Sequence, residues 1–202
     1  MAASARVTSL RWALPGLLAA AAITGPLSRS PSTAVELLDL DGRRANPLHT
    51  PGAPFTVFVF TRTDCPISNR YGPELRRLHE RFARAGVAFW LVYPGLADPV
   101  EAIRRHLEEY GYPFGALRDP QHSLVRMTQA RVTPEAAVFV AGPSGTRLVY
   151  TGRIDDRYLS FGRTRATPTS HDLERVLEAL IAGEAVAPRT TPAIGCFIPP
   201  LQ

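Results

Sequence analysis

Residues 55–68 read FTVFVFTRTDCPIS. Phe55–Phe60 is a near-continuous run of aromatic and β-branched residues, the pattern of a strand buried on both faces. Cys65 follows closely, then Pro66, then helical spacing from about Ser68 to Ala85. Tyr71, Leu75, Leu78 and Phe82 share one face of that helix, and Gly86 ends it as a C-cap. Pro73 inside the pattern predicts a kink or a late start. A buried strand therefore delivers a cysteine to the start of a helix. The thiolate is the reactive form of cysteine, and a helix N-terminus lowers the thiol pKa from its usual ~8.5. Cys65 is thus a candidate reactive thiol, and a buried, inert cysteine is the plainer alternative.

Outward from this stretch, strands and helices alternate. Val35–Leu40 reads as a short strand turned by Asp41-Gly42, a strong hairpin signal. Val87–Tyr93 is a second buried strand. Asp98 and Pro99 read as N-cap and N1 of a helix reaching Tyr110, which Gly111 stops. Pro113–Leu117 predicts a short strand and His122–Ala130 a short helix. Thr133-Pro134 precedes a strong strand at Ala137–Ala141, whose hairpin partner Arg147–Thr151 lies beyond the turn at residues 142–145. Ser170 reads as the cap of a last helix, with Leu173, Val176, Leu177 and Leu180 inside and Gly183 at its end. Residues 184–202 are proline-rich, without periodicity, and read as a flexible tail. The order β-β-α-β-α-β-α-β-β-α predicts an α/β domain with a central mixed sheet flanked by helices.

The chain has 202 residues, 45% hydrophobic and 20% charged, enough for one full core. Its net charge of +5 comes from scattered arginines, including pairs at Arg43–Arg44, Arg76–Arg77 and Arg104–Arg105. With no basic block and no interleaved aromatics, nucleic-acid binding is not expected. Two cysteines, Cys65 and Cys196, are too few for a stapled scaffold or a thiolate zinc site. His49, His79, His106, His122 and His171 show no ligand spacing, so neither metal nor cofactor is expected. His79 and His106 read as surface residues of helices, and His171 as first-turn surface. Asp155 and Asp156, within GRIDDRY, read as a salt-bridged turn.

Residues 1–27 read as a targeting segment. Arg6 and Arg11 precede the uncharged run WALPGLLAAAAI from Trp12 to Ile23, of signal-peptide length and shorter than the ~20 residues of a membrane span. A cleaved export signal is the expectation, with an uncleaved N-terminal anchor, the sole membrane attachment, as its alternative. Residues 28–34 form a linker, 35–183 the domain, and 184–202 the tail carrying Cys196. Export predicts a periplasmic or extracellular location where disulfides persist.

The succession resembles the thioredoxin-like superfamily, in its exported redoxin and peroxiredoxin-like (AhpC/TSA-type) branch, over roughly residues 35–183. Four features carry the resemblance. The DLDG turn at Asp39–Gly42 resembles an added N-terminal hairpin. FTVFVF leads into Cys-Pro-Ile-Ser and a helix. Val132-Thr133-Pro134 looks like the cis-proline loop that faces the reactive cysteine. A hairpin and helix close the domain. DCPISNRYGPEL with Gly195-Cys196-Phe197-Ile198 further resembles a bacterial redoxin subgroup with a late Gly-Cys-x-Ile. The chain departs from the pattern in two places. Ser68 stands where a thioredoxin has its second cysteine. Phe58 and Arg62 stand where a peroxiredoxin has proline and threonine.

The resemblance implies a thioredoxin-like fold with Cys65 as nucleophile, Thr133 and Pro134 facing it, and Ser68 as a donor to the thiolate or a helix cap. Cys196 is then a resolving cysteine, half of a permanent disulfide, or a thiol for a partner. The implied partner is a thiol or disulfide protein or a small peroxide. Three functions stand at this level: an extracytoplasmic thiol oxidoreductase, a non-catalytic module docking on a redox or electron-transfer partner, and a structural domain with a stapled tail.

Overall fold

The chain divides between Ser32 and Thr33, and the fold is that of the second unit. The computed structural model describes residues 1–2, 35–143 and 145–201. Residues 3–27 of the targeting segment and the whole linker lie outside the described residues, as does Ser144 of the expected turn.

In chain order the strands are β1 (Leu37–Leu38), β2 (Arg44–Ala45), β3 (Phe55–Phe60), β4 (Val87–Pro94), β5 (Gly115–Asp119), β6 (Val132–Thr133), β7 (Glu135–Gly142), β8 (Gly145–Gly152), β9 (Tyr158–Ser160), β10 (Arg163–Thr164), β11 (Arg189–Thr190) and β12 (Cys196–Phe197). The helices are α1 (Pro66–Arg70), α2 (Gly72–Phe82), α3 (Val100–Glu109), α4 (Ser123–Thr128) and α5 (Asp172–Ile181). The main sheet has the order β11-β8-β7-β3-β4-β5-β1-β2. β3, β4 and β5 run parallel, while β7 is antiparallel to β3 and β8 to β7. The fold is the thioredoxin-like α/β class, a mixed sheet flanked by helices.

The period-2 alternation of β3 explains the two layers. Val57 and Val59 join one buried cluster with Leu75, Leu78 and Phe82 of α2, Ile103 of α3 and Leu173, Val176, Leu177 and Leu180 of α5. Phe58 and Phe60 point the other way, into a cluster with Leu117, Leu124 of α4, Phe139 and Leu37. Phe58 meets Phe139 edge to face.

Several local readings needed neighbours the sequence does not show. Residues 66–82 form two helices rather than one kinked helix, broken at Tyr71, because Pro73 occupies the first turn of α2, where its missing N–H costs nothing. Ser170 is not the cap of α5. His171 holds that position without a side-chain cap bond, and the Ser170 hydroxyl donates to Asp172 (2.9 Å). His106 is buried rather than on the surface, and His79 packs on Phe89 and Phe114. The proline-rich tail is not free chain. β11 adds to the β8 edge in parallel, and β12 pairs antiparallel with β6. Gly152, at φ 153°, admits this: a Cβ there would lie 2.8 Å from the Thr191 nitrogen.

Candidate active site

The buried end of β3 and the short turn 61–64 place Cys65 as the N-cap of α1. Its Sγ accepts from the Ser68 amide (3.4 Å), so cysteine takes the capping role usually filled by serine or aspartate. Ser68 is not itself the cap; it lies inside the first turn. Its hydroxyl is enclosed and has no hydrogen-bond partner among the described residues. Cys65 is completely buried.

The Thr133–Pro134 peptide is cis, and the Thr133 carbonyl oxygen faces Cys65 Sγ at 3.1 Å. From the opposite side the tail brings Cys196, whose Sγ lies 2.7 Å from that of Cys65. Both are free thiols, and the gap exceeds the ~2.05 Å of a disulfide. Five residues the sequence singled out, Cys65, Ser68, Thr133, Pro134 and Cys196, thus come together from β3–α1, β6 and the tail.

Gly195 permits the approach. It is buried, and a Cβ added there would collide with the Thr133 carbonyl, lying 2.6 Å from its carbon. The Thr133 hydroxyl donates weakly to the Cys196 carbonyl (3.4 Å), and the Ile198 amide donates to the Arg131 carbonyl (2.9 Å).

The two thiols differ. Burial pushes the Cys65 thiol up, but its hydrogen bonding with Cys196 and with Ser68 outweighs it and holds it below its ordinary value. The Thr133 carbonyl, an acceptor, favours the protonated thiol. The donors win because hydrogen bonds to a charged sulfur are the stronger ones. For Cys196 burial comes first and the Cys65 sulfur second, and together they push it up to about 12. The pair is therefore asymmetric: of the two sulfurs, Cys65 is the one whose thiolate form the site favours. Arg62, paired with Asp64 at 2.7 Å, adds positive potential near Cys196.

A polar network beneath the site steadies the turn before Cys65. The Tyr93 hydroxyl lies 2.6 Å from His106 Nδ1, and His106 Nε2 lies 2.8 Å from Asn69 Oδ1. The Asn69 amide in turn donates to the Thr63 carbonyl (3.1 Å). An amide oxygen only accepts, so Nε2 carries the proton and Nδ1 accepts from Tyr93. This neutral ring agrees with a His106 pKa lowered by burial. Asp98, expected as a helix cap, instead accepts from the Thr63 amide (3.1 Å) and hydroxyl, while Pro99 holds the N-cap position of α3. Asp98→Ala strips both Thr63 donors of their partner, which is expected to cost about 1–3 kcal/mol of unfolding free energy. Denaturant titration checks this, and Asp98→Asn, which keeps an acceptor, is expected to lose less.

Behind the cis-proline, Tyr71 donates to buried Asp155 (2.6 Å). Burial comes first, with the Asp155 carboxylate adding to it, in raising the Tyr71 pKa. Both residues line a cavity of about 10 Å³ with Pro134 and Ile194, room for about one water. Asp155 has its ion pair with Arg157 (3.7 Å) and Asp156 with Arg165 (3.2 Å), so the acidic pair is salt-bridged and packed under the site. Neither the Asp98–Thr63 contact nor the Tyr71–Asp155 contact has a sequence signal, since 35 and 84 positions separate the partners.

A thioredoxin-like sheet with a cysteine capping the first helix, a cis-proline opposite it and a second cysteine in contact defines the redoxin class of protein. Residues 31–147 match the AhpC/TSA family. The chain belongs to that family. Among solved structures it is similar to an uncharacterized conserved protein from Geobacillus kaustophilus, with 26% identity, 81% of this chain and 86% of that chain covered, and a TM-score of 0.67. A hypothetical protein from Sinorhizobium meliloti 1021 is similar at 24% identity, with 81% and 88% covered and a TM-score of 0.67. An uncharacterized thioredoxin-like protein from Porphyromonas gingivalis shares the fold at 18% identity, with 77% and 95% covered and a TM-score of 0.56. A search of curated proteins finds no match.

Proposed function

We propose that the chain is an extracytoplasmic thiol–disulfide oxidoreductase in which Cys65 is the nucleophile and Cys196 resolves. The contact between the two sulfurs, 2.7 Å apart, carries this reading. The Cys65 thiolate attacks one sulfur of a partner disulfide. A Cys65–partner bond forms, the partner's S–S bond breaks, and the departing sulfur leaves with the electron pair. Cys65 has then lost its negative charge, the second influence holding the Cys196 proton in place. Cys196 passes that proton to the departing thiolate and attacks Cys65, forming Cys65–Cys196 and releasing the partner's second thiolate. The partner gains two electrons, and an external dithiol returns them to the chain.

Ser68, Thr133 and Pro134 act as the thiolate's surroundings: a helix-amide donor, a facing carbonyl and the cis-proline bend that presents it. In this reading residues 1–27 are an export signal, 28–34 a linker, 35–183 the redoxin domain and 184–202 the resolving tail. The oxidising compartment beyond the membrane suits a reversible cysteine pair.

The test is reduction of insulin disulfides beside consumption of hydrogen peroxide, on the wild type and two variants. Wild type is expected to reduce insulin. Cys65→Ser is expected to fall to the uncatalysed background. Cys196→Ser is expected to complete the first attack and accumulate a mixed disulfide, visible as an added mass. Unchanged insulin reduction by Cys65→Ser overturns the proposal. Peroxide consumption without insulin reduction overturns the exchange chemistry and leaves a peroxidase.

A further inference from the structure

The tail lies on the site as a foreign peptide would. β12 is an added antiparallel strand on the β6 edge, with Cys196 opposite Thr133 and Phe197 opposite Val132. Main-chain pairing of this kind secures any extended segment, and side-chain pockets decide which one. The tail's own side chains show what those pockets accept.

Ile194, two positions before the cysteine, packs against the main core cluster and lines the cavity beside Tyr71, Pro134 and Tyr158. Gly195, one before, faces the Thr133 carbonyl with no room for a Cβ. Cys196 meets Cys65. Phe197, one after, is 73% exposed and touches little. Ile198, two after, packs against the second cluster, that of Phe58, Phe60 and Leu117.

We propose that the β6 edge is the docking surface for a partner protein's extended segment of the form apolar–Gly–Cys–any–apolar, and that Ile194–Ile198 is the built-in occupant such a segment displaces. This rests on the reading of Cys65 as nucleophile. Complete burial of Cys65 under the tail means that a protein disulfide reaches it only when β12 leaves. Anchorage of the tail upstream keeps the displaced segment close. The Thr191 amide donates to the Thr151 carbonyl (3.1 Å), and the Tyr150 and Thr191 hydroxyls lie 2.6 Å apart. Cys196 is thereby held ready to return and resolve the mixed disulfide. The partner's glycine is selected by the same Thr133 carbonyl that requires Gly195.

The test uses full-chain Cys196→Ser and synthetic peptides of residues 192–199 (PAIGCFIP). The peptide cysteine is blocked as a mixed disulfide with 2-nitro-5-thiobenzoate. Cys65 attacks the peptide sulfur, the peptide–nitrothiobenzoate S–S bond breaks, and the coloured thiolate leaves with the electron pair. Alanine at the peptide position of Gly195 is expected to slow release at least ~10-fold, the scale of forced overpacking. Serine in place of Ile194 or of Ile198 is expected to slow it ~3–10-fold, the loss of part of an apolar burial. Serine in place of Phe197 is expected to change it less than ~2-fold, since that side chain is exposed.

A second protein, Gly195→Ala/Cys196→Ser, loses its built-in occupant and is expected to react with the unaltered peptide ~10-fold faster. Equal rates for all peptides, or no gain in the double variant, overturn the proposal. The symmetrical small reagent 5,5′-dithiobis(2-nitrobenzoate) separates the two levels. If it reacts while the peptides show no preference, recognition at the edge is wrong and Cys65 remains the nucleophile. If neither reagent reacts, the nucleophile reading itself fails.

Discussion

Gly195→Ala is expected to abolish rapid disulfide formation between Cys65 and Cys196 while leaving the domain folded. The added Cβ meets the Thr133 carbonyl carbon at 2.6 Å and the Pro134 nitrogen at 3.1 Å. These are backbone atoms of the cis-proline loop, seated in the core beside Ala136 and Ala137, and they cannot yield as a flexible side chain would. The tail yields instead, and β12 separates from β6. Oriented contact between reacting groups is worth effective concentrations of about 10⁵ M or more, against millimolar for a tethered flexible end. Closure of the disulfide under a mild oxidant is therefore expected to slow at least ~100-fold, read by mass after acid quench and alkylation. The two core clusters contain no side chain from position 195, so the circular dichroism spectrum is expected to be unchanged. Wild-type closure kinetics in this variant would show that Gly195 does not hold the tail in place.

The second large effect is on pH dependence. The Cys65 thiolate is stabilised against burial chiefly by the hydrogen that Cys196 shares with it. Reaction with a small disulfide follows the thiolate fraction, so the wild-type rate rises with pH and levels off at a midpoint below that of an ordinary thiol. Cys196→Ala removes the leading donor and leaves burial, which favours the neutral thiol. The midpoint is then expected to move to higher pH, and the rate at neutral pH to drop. Cys196→Ser, which keeps a donor, is expected to fall between the two. Cys196 itself, pushed up to about 12 by burial and by the Cys65 sulfur, is expected to stay protonated across the whole profile. A stopped-flow pH series distinguishes these outcomes. A midpoint in Cys196→Ala at or below the wild-type value would remove Cys196 as the donor.

Phe55–Phe60 was legible because fully buried parallel strands have a composition of their own, and β3 begins and ends where that run does. The helix starts were less legible. Asp98 and Ser170 look like caps because their residue types favour that role. The structure gives Asp98 to Thr63 and Ser170 to Asp172, contacts that compete successfully with the helix amides. His106 resembles a solvated helix residue until Tyr93 and Asn69 offer both ring nitrogens a partner. The tail was the least legible. Two-residue strands carry no periodicity, and the β8 and β6 edges that order them come from distant parts of the chain.

The strand and the cysteine at the helix start follow from local composition and spacing, and the proline loop from the resemblance those elements carry. The sequence also marks Cys65 and Cys196 as the two thiols available. Only the tertiary structure decides that they touch. Residues 131 positions apart meet because the tail pairs with β8, passes Gly152, and lays a glycine against the Thr133 carbonyl. Such contacts depend on the shape of two surfaces, and local sequence encodes neither.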